Sequence, residues 1–348
     1  MSGSRLVLRD LSFRGERVLL SGVDRHTAAT IDALLRDGAQ VTIRSDDAAL
    51  PTSVLDLVER GLVSLDENLA VEDEAGFTVV IRAGRGGHTT SIAATTTSAT
   101  STPAPVRGTV TLVGGGPGDP GLITVAGLEA LRTADVIVHD RLVPLAALSQ
   151  ARPDAIVVDV GKIPRGTFTP QERINTLIVE HARAGRCVVR FKGGDNFVFG
   201  RGGEEAEACG AAGIPVVVVP GVTSSVAGPA LAGIPLTHRT LVQGFTVVSA
   251  HVPPHDPRST LDWSAIARAN TTIVVLMGVA TLPAVTAELV TQGLDPSTPA
   301  AVVADAGLPS MRTVRATVAD IAGVSAAAGL GAPAVVVIGA VAALDVTS

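Results

Sequence analysis

Four short stretches hold the residues best equipped for chemistry, and each follows an apolar run: VGGGPGDPG at 113–121, HDRLV at 139–143, VGK at 160–162 and RFKGGDNFVFGRGGEE at 190–205. Within the first, GPGDPG fits the dinucleotide template G-x-G-x-x-G. A phosphate cradle works by aiming backbone N–H groups and a positive helix end at an anion. Pro117 and Pro120 each remove one N–H, and Asp119 puts a carboxylate where the phosphate charge would sit. Two like charges ~4 Å apart repel by ~4 kcal/mol at a surface-like dielectric. The loop is therefore expected to hold something other than an anionic phosphate.

Asp140 follows an apolar strand and precedes Arg141, which places a carboxylate at a strand end. Taken alone it reads equally as a helix cap or a surface ion pair. Lys162 and Lys192 are the only lysines in a chain that otherwise uses arginine, and an ammonium differs from a guanidinium as a compact, tunable proton donor. Chance usage is the plainer account of both. Gly193, Gly194 and Asp195 combine close backbone approach with a carboxylate suited to hydroxyl groups or a cation, or simply make a tight turn. His139, His181, His238 and His251 share no metal-ligand spacing, so no metal is expected. No Ser-His-Asp or Cys-His arrangement follows from the order of residues.

These stretches need elements to position them. Strands are expected at Val110–Val113, Val136–His139, Ala155–Val160, Cys187–Lys192 and Val216–Val219, with helices between them. One helix has a start signal, since Thr169, Pro170 and Glu172 spell a capping box with proline at the first helical position. Open α/β sheets bind ligands at the carboxyl ends of their strands, which is where HDRLV, VGK, the GGD stretch and PGVTSS (220–225) all fall. Further strands at Thr246–Ser249, Thr272–Met277, Ala301–Ala304, Val314–Thr317 and Ala334–Ile338 suggest a second lobe after about Pro235. Two α/β lobes, 107–235 and 236–348, imply a cleft between them.

Upstream, residues 84–106 are Thr, Ser, Ala and Gly with hardly any charge, a composition expected of a flexible linker. It sets apart an N-terminal unit, 1–83, in which RVLLS and QVTIR flank a helix and the alternation continues, so a small Rossmann-like sheet is expected. Its first turn, SGVDRHT, keeps only Gly22 where a dinucleotide loop would show three glycines.

The charge balance, 27 basic against 33 acidic residues, gives no footprint for nucleic acid or an anionic membrane surface. The longest uncharged run, Ala208–His238, contains Pro215, Pro220, Pro229 and Pro235 and reads as a buried strand, loop and short helix, not a membrane span. Cys187 and Cys209 read as small core residues, and two cysteines with no signal-peptide core in MSGSRLVLRD fit the reducing cytoplasm.

With VGGGPGDPGLIT, HDRLV, VGK, RFKGGDNFVFGRGGEE, VPGVTSS, GIPLTHR and LMG in this order and spacing, the chain from about Gly108 onward resembles the uroporphyrinogen III C-methyltransferases of siroheme and cobalamin biosynthesis. The resemblance implies a two-lobed tetrapyrrole methylase fold and S-adenosyl-L-methionine as cofactor, which carries a sulfonium and no phosphate. It further implies a tetrapyrrole substrate methylated at two pyrrole carbons to give precorrin-2, and a homodimer. It puts Pro117, Gly193, Gly194, Asp195, Val198, Thr223, Ser224, Met277 and Gly307 on cofactor contacts, Asp140 on the general base and Lys162 on the proton donor. Arg141, Arg165, Arg201 and Arg239 near the motifs are candidate anchors for substrate carboxylates. This chain departs at Asn196, where the family usually has proline, at Ser249–Ala250–His251 for TGH, and at Leu276 for tyrosine. The N-terminal unit looks like a shortened, altered relative of the precorrin-2 dehydrogenase and ferrochelatase domain. The alternatives are a trifunctional siroheme synthase, a methyltransferase of a later corrin intermediate, and a catalytically silent porphyrinoid-binding protein.

Overall fold

The computed structural model describes residues 13–22, 27–44, 50, 52–66, 69–82, 91–94, 108–161 and 169–347. The chain divides into two compact units, Met1–Ala104 and Pro105–Ser348. In the first, β1 (Arg17–Ser21), α1 (Thr27–Arg36), β2 (Gln40–Arg44), α2 (Thr52–Glu59), β3 (Ser64–Leu65), β4 (Val79–Arg82) and β5 (Ser91–Ala94) build a sheet of order β3-β2-β1-β4-β5. Its first four strands are parallel, and β5 returns antiparallel to β4. Val18, Leu20, Ile31, Leu34, Val41, Ile43 and Ile81 form the core, on the apolar positions that define each element.

The stretch expected as a structureless linker thus contains a strand. Composition misleads there because pairing to β4 uses main-chain N–H and C=O groups, which Ser-Ile-Ala-Ala supplies as well as any sequence, and an open sheet edge invites it. At the carboxyl end of this sheet the Arg44 side chain donates to Ser21 Oγ (2.6 Å) and to Glu74 Oε1 (2.8 Å).

The second unit opens with β6 (Val110–Gly114), α3 (Val125–Thr133), β7 (Val136–His139), β8 (Ile156–Asp159), α4 (Gln171–Arg183), β9 (Val188–Lys192), α5 (Gly202–Ala211), β10 (Val216–Val219) and α6 (Ser224–Leu231). Its sheet is wholly parallel, ordered β10-β6-β9-β7-β8. One face packs Val110, Leu112, Ile174, Ile178 and Cys209, and the other packs Val113, Leu131, Ile137 and Phe191. β10 is an edge strand with Val217 and Val218 exposed, a correction to the expected buried strand: four consecutive valines fit an edge as well as a core. The start of α4 also differs. Its first residue is Gln171, with Pro170 in the capping position and no side-chain cap; the Gln171 amide bonds Asn175 and Glu205 instead.

The second sheet follows, with β11 (Phe245–Ser249), α7 (Trp263–Arg268), β12 (Thr272–Leu276), α8 (Leu282–Thr291), β13 (Pro299–Ala304), β14 (Arg312–Thr317), α9 (Ile321–Ala327) and β15 (Ala334–Ile338) in the order β11-β12-β15-β13-β14. β15 runs antiparallel to both β12 and β13, so those two are parallel and their carboxyl ends, leading to Met277 and Asp305, share one edge. Among the described residues no helix is long and apolar enough to cross a membrane.

Candidate active site

Because every strand of the first sheet points the same way, the loops after β10, β6, β9, β7 and β8 emerge side by side in that order along one edge. The first three fuse through their main chains. Gly116 and Gly194 exchange both backbone hydrogen bonds, at 3.1 and 2.7 Å. A Cβ on Gly114 would lie 2.5 Å from Gly221 N and 2.8 Å from Gly194 O, closer than any side chain sits, so this junction requires glycine. Asp195 braces it, with Oδ2 accepting from Gly221 N (3.1 Å) and Oδ1 from Phe197 N (2.8 Å) and Val198 N (3.3 Å). Gly194 also lies 3.6 Å, measured from an added Cβ, from the Ser224 hydroxyl and backbone N, which brings Thr223 and Ser224 to the same point.

The second lobe meets this junction through the loop after β13. Gly307, at φ +82, sits so close to the loop after β6 that a Cβ would come within 3.1 Å of Asp119 N and 3.4 Å of Pro117 Cγ. Pro117, Gly193, Gly194, Asp195, Val198, Thr223, Ser224 and Gly307 are thereby linked through a chain of contacts and adjacent loop residues. Met277 lies half-exposed in a left-handed conformation at the end of β12, on the sheet edge it shares with Asp305 and Gly307. Asp119 is turned inward on its own loop, Oδ1 accepting from Gly121 N at 2.7 Å. That N–H is therefore taken within the turn.

Asp140 stands on the next strand end, its backbone N bonded to Phe191 O (3.1 Å), and Leu142 of the same loop packs against Gly193. The Asp140 carboxylate is one third exposed and is met by two buried cations of β9: Arg190 Nη2 at 2.5 Å and Lys192 Nζ at 3.9 Å. Behind them lies Glu205 of α5, fully buried, which takes Arg190 Nε at 2.8 Å and Lys192 Nζ at 2.9 and 3.0 Å. Arg190 spends its remaining donor on the carbonyls of Val138 and Phe191. Burial works against the Arg190 charge, but Asp140 and Glu205 outweigh it and hold its pKa above the ordinary value. Lys192 goes the other way, pushed down by burial and by Arg190 beside it.

Arg190 and Glu205 escaped the sequence reading, although a signal existed. VVRFK alternates so that Arg190 and Lys192 share one face of a strand covered on both sides, and buried charges there demand an acid nearby.

The other expected residues are placed unevenly. Lys162 and Arg165 lie outside the described residues, the first directly after Gly161 at the end of β8. Arg201, at φ +60 before α5, is half-exposed and forks onto Glu204 with two 2.8 Å bonds, so its guanidinium is already engaged. Arg141 and Arg239 are exposed. Asn196 is completely buried, and its amide donates to the carbonyls of Leu112 (3.3 Å) and Val219 (2.8 Å), tying β6 to β10 beneath the junction. His251 pairs with the Ser249 hydroxyl at 3.0 Å. Among the described residues no group of acidic, His and Cys side chains could hold a metal.

Several known proteins resemble this chain over about two thirds of its length. Siroheme synthase from Neisseria meningitidis serogroup B is 46% identical over 237 residues, which are 68% of this chain and 48% of that protein. The siroheme synthase of Gluconacetobacter diazotrophicus is 45% identical over 234 residues, 67% of this chain and 50% of its own length. This chain thus spans about half the length of these curated relatives. Among solved structures, the uroporphyrin-III C-methyltransferase of Thermus thermophilus complexed with S-adenyl homocysteine matches at TM-score 0.57 and 41% identity over 67% of this chain and 98% of that one. A cobalt precorrin-4 methyltransferase matches at TM-score 0.60 and 28% identity, covering 67% and 95% of the two chains. Residues 109–322 match the Tetrapyrrole (Corrin/Porphyrin) Methylases, and the chain belongs to that family.

Proposed function

We propose that the second unit binds S-adenosylmethionine over the junction of the β6, β9 and β10 loops and uses it to methylate uroporphyrinogen III at two pyrrole carbons, giving precorrin-2. The observation that carries this reading is the junction itself. It offers glycine main chain and the Ser224 hydroxyl, beside an Asp195 carboxylate that also accepts three loop N–H groups and a Thr223 hydroxyl bonded to Ser225, while Asp119 holds the N–H of Gly121. Such a donor set fits a ligand with hydroxyl and amino groups and a sulfonium, and it repels a pyrophosphate. Pro117, Gly193, Gly194, Asp195, Val198, Thr223, Ser224, Met277 and Gly307 would hold it. When bound, S-adenosylmethionine supplies a methyl group on a positively charged sulfur.

The protein's share is to position the acceptor carbon and to move a proton. Asp140, one strand along from the β9 loop and open to the cleft, takes the proton that the methylated ring must lose. Its Oδ1 is held by Arg190, which leaves Oδ2 to receive that proton. Lys162 is assigned as proton donor on the resemblance. Arg141 and Arg239, both exposed, are offered as anchors for substrate carboxylates; Arg165 is carried from the motif pattern, and Arg201 would first have to leave Glu204.

Two edge strands of the first sheet expose Val217, Val218, Ile156 and Val157, which supports a homodimer as the working assembly. Free Cys187 and Cys209 support a reducing, cytoplasmic setting. The first unit is proposed to be a dinucleotide-binding fold that no longer binds its nucleotide, since Gly22 stands alone and Arg44 is drawn onto Ser21 and Glu74. The test is anaerobic incubation with uroporphyrinogen III: with S-adenosylmethionine, mass spectrometry should show a product heavier by two methyl groups, and none without it. A product heavier by none would overturn the reading.

A further inference from the structure

Four charged groups form a closed chain under the proposed site: Asp140, Arg190, Glu205 and Lys192. Three are essentially buried, and Asp140 alone is exposed, by one third. Their charges cancel in pairs. Without Glu205, two cations would converge on the one carboxylate that is needed to accept a proton. Without Lys192, the remaining Arg190 would be shared by two carboxylates.

We propose that Glu205 is a positioning residue for methyl transfer: by neutralising Arg190 and Lys192 from behind, it holds the guanidinium in the plane that orients Asp140 and keeps Oδ2 of Asp140 able to accept a proton. This rests on the assignment of Asp140 as base. Glu205 reaches no substrate, since its side chain is fully buried, and it acts only through its partners. Other charged groups stand near the cluster. His139 and Arg141 flank Asp140 on its own turn, Asp159 ends the neighbouring β8 with Oδ1 on Gly161 N, and Glu204, Arg201 and Glu172 lie around Glu205. Arg201 and Glu204 are bonded to each other, so their fields largely offset at Asp140.

The test uses the full chain, labelled S-adenosylmethionine and uroporphyrinogen III, with kcat and KM followed across pH and S-adenosylhomocysteine binding measured separately. Glu205→Gln is expected to lower kcat about tenfold or more and to move the acid limb of the rate profile down by about one pH unit, because two unshielded cations disfavour protonation of Asp140. KM and S-adenosylhomocysteine affinity should stay within about twofold. Lys192→Met should move the same limb upward, and Glu205→Gln combined with Lys192→Met, which restores the charge balance, should bring it back toward the parent position. Glu205→Asp should recover part of the rate. A loss of rate with an unmoved acid limb in the single variants would overturn the proposal, because a merely structural glutamate has no reason to shift it. Should Glu205→Gln fail to fold, Lys192→Met and the double variant decide alone: an unmoved limb in the first sinks the idea. Asp140→Asn separates the two layers. If it retains full turnover, the base assignment falls and this proposal with it; if it is inactive while Glu205→Gln keeps the parent profile, only the role of Glu205 is lost.

Discussion

A carboxylate that must accept a proton is more often found among apolar groups than against a guanidinium, and Asp140, the proposed base, stands against Arg190. Arg190 holds the Oδ1 of Asp140 at 2.5 Å, and Glu205 meets the same guanidinium from behind at 2.8 Å. Asp140→Asn keeps the size of the side chain but leaves Arg190 with a neutral partner. It is expected to lower turnover by ~10²-fold or more while S-adenosylhomocysteine affinity changes by a few fold at most, checked by single-turnover kinetics and calorimetry. A second residue-scale expectation concerns Cys209, whose thiol burial pushes up to about 11. The unfolded thiol ionises near 8.5, so between those values the unfolded state has shed a proton that the folded state keeps. The corresponding stability is complete below about pH 8.5 and is lost, by roughly 3 kcal/mol, as pH rises to about 11. Urea denaturation at pH 8 and pH 11 should show a larger fall for the parent than for Cys209→Ala.

The elements divide into those whose evidence is local and those whose evidence is not. The strands β6, β7, β12 and β15 were legible because each is an apolar run closely followed by glycine or a charged residue, and β9 because Val188, Val189 and Phe191 lead straight into Gly193; the placing of HDRLV and GGD at strand ends followed from that. The short β3 and the returning β5 were not, since neither carries an apolar pattern and both exist by main-chain pairing. The meeting of Gly114, Gly194 and Gly221 was also beyond reach: the glycines were visible, but strand order brings them together, and order is a property of long-range contacts. The Glu205 cluster failed for the same reason, with its members split between a strand and a helix. This junction yields an element-scale prediction. Gly221→Ala puts a methyl into the Gly194 carbonyl and the Gly114 backbone, neither of which can yield as a side chain would. Overpacking of this kind costs about 1–3 kcal/mol. The melting temperature should drop by several degrees, and S-adenosylhomocysteine should no longer raise it.

At the scale of the molecule, one chain carries two compact units. The first keeps the strand order of a dinucleotide fold yet engages Arg44 at the carboxyl end of β1, where an incoming anion would need it free. NAD is therefore expected to leave the melting curve of the full chain unchanged, whereas S-adenosylhomocysteine raises it, and no NAD-dependent oxidation of precorrin-2 should be detected. A chain beginning at Arg107 is expected to fold and to methylate with nearly full-length turnover. If that shorter protein is monodisperse but inactive, the first unit completes the site or the assembly, and its role has been misjudged.

The main-chain floor at Gly114, Gly194 and Gly221 has a consequence for how such an enzyme diversifies. If the methyl donor lies over this floor as proposed, much of its affinity would rest on peptide groups, which substitutions elsewhere would scarcely alter. Affinity for the acceptor would rest on side chains around the rim, among them Arg141, Arg239 and the exposed Phe197 and Phe199. On that reading the two affinities would be separable: exchanging one rim residue would retune which ring system is accepted without loss of the methyl donor.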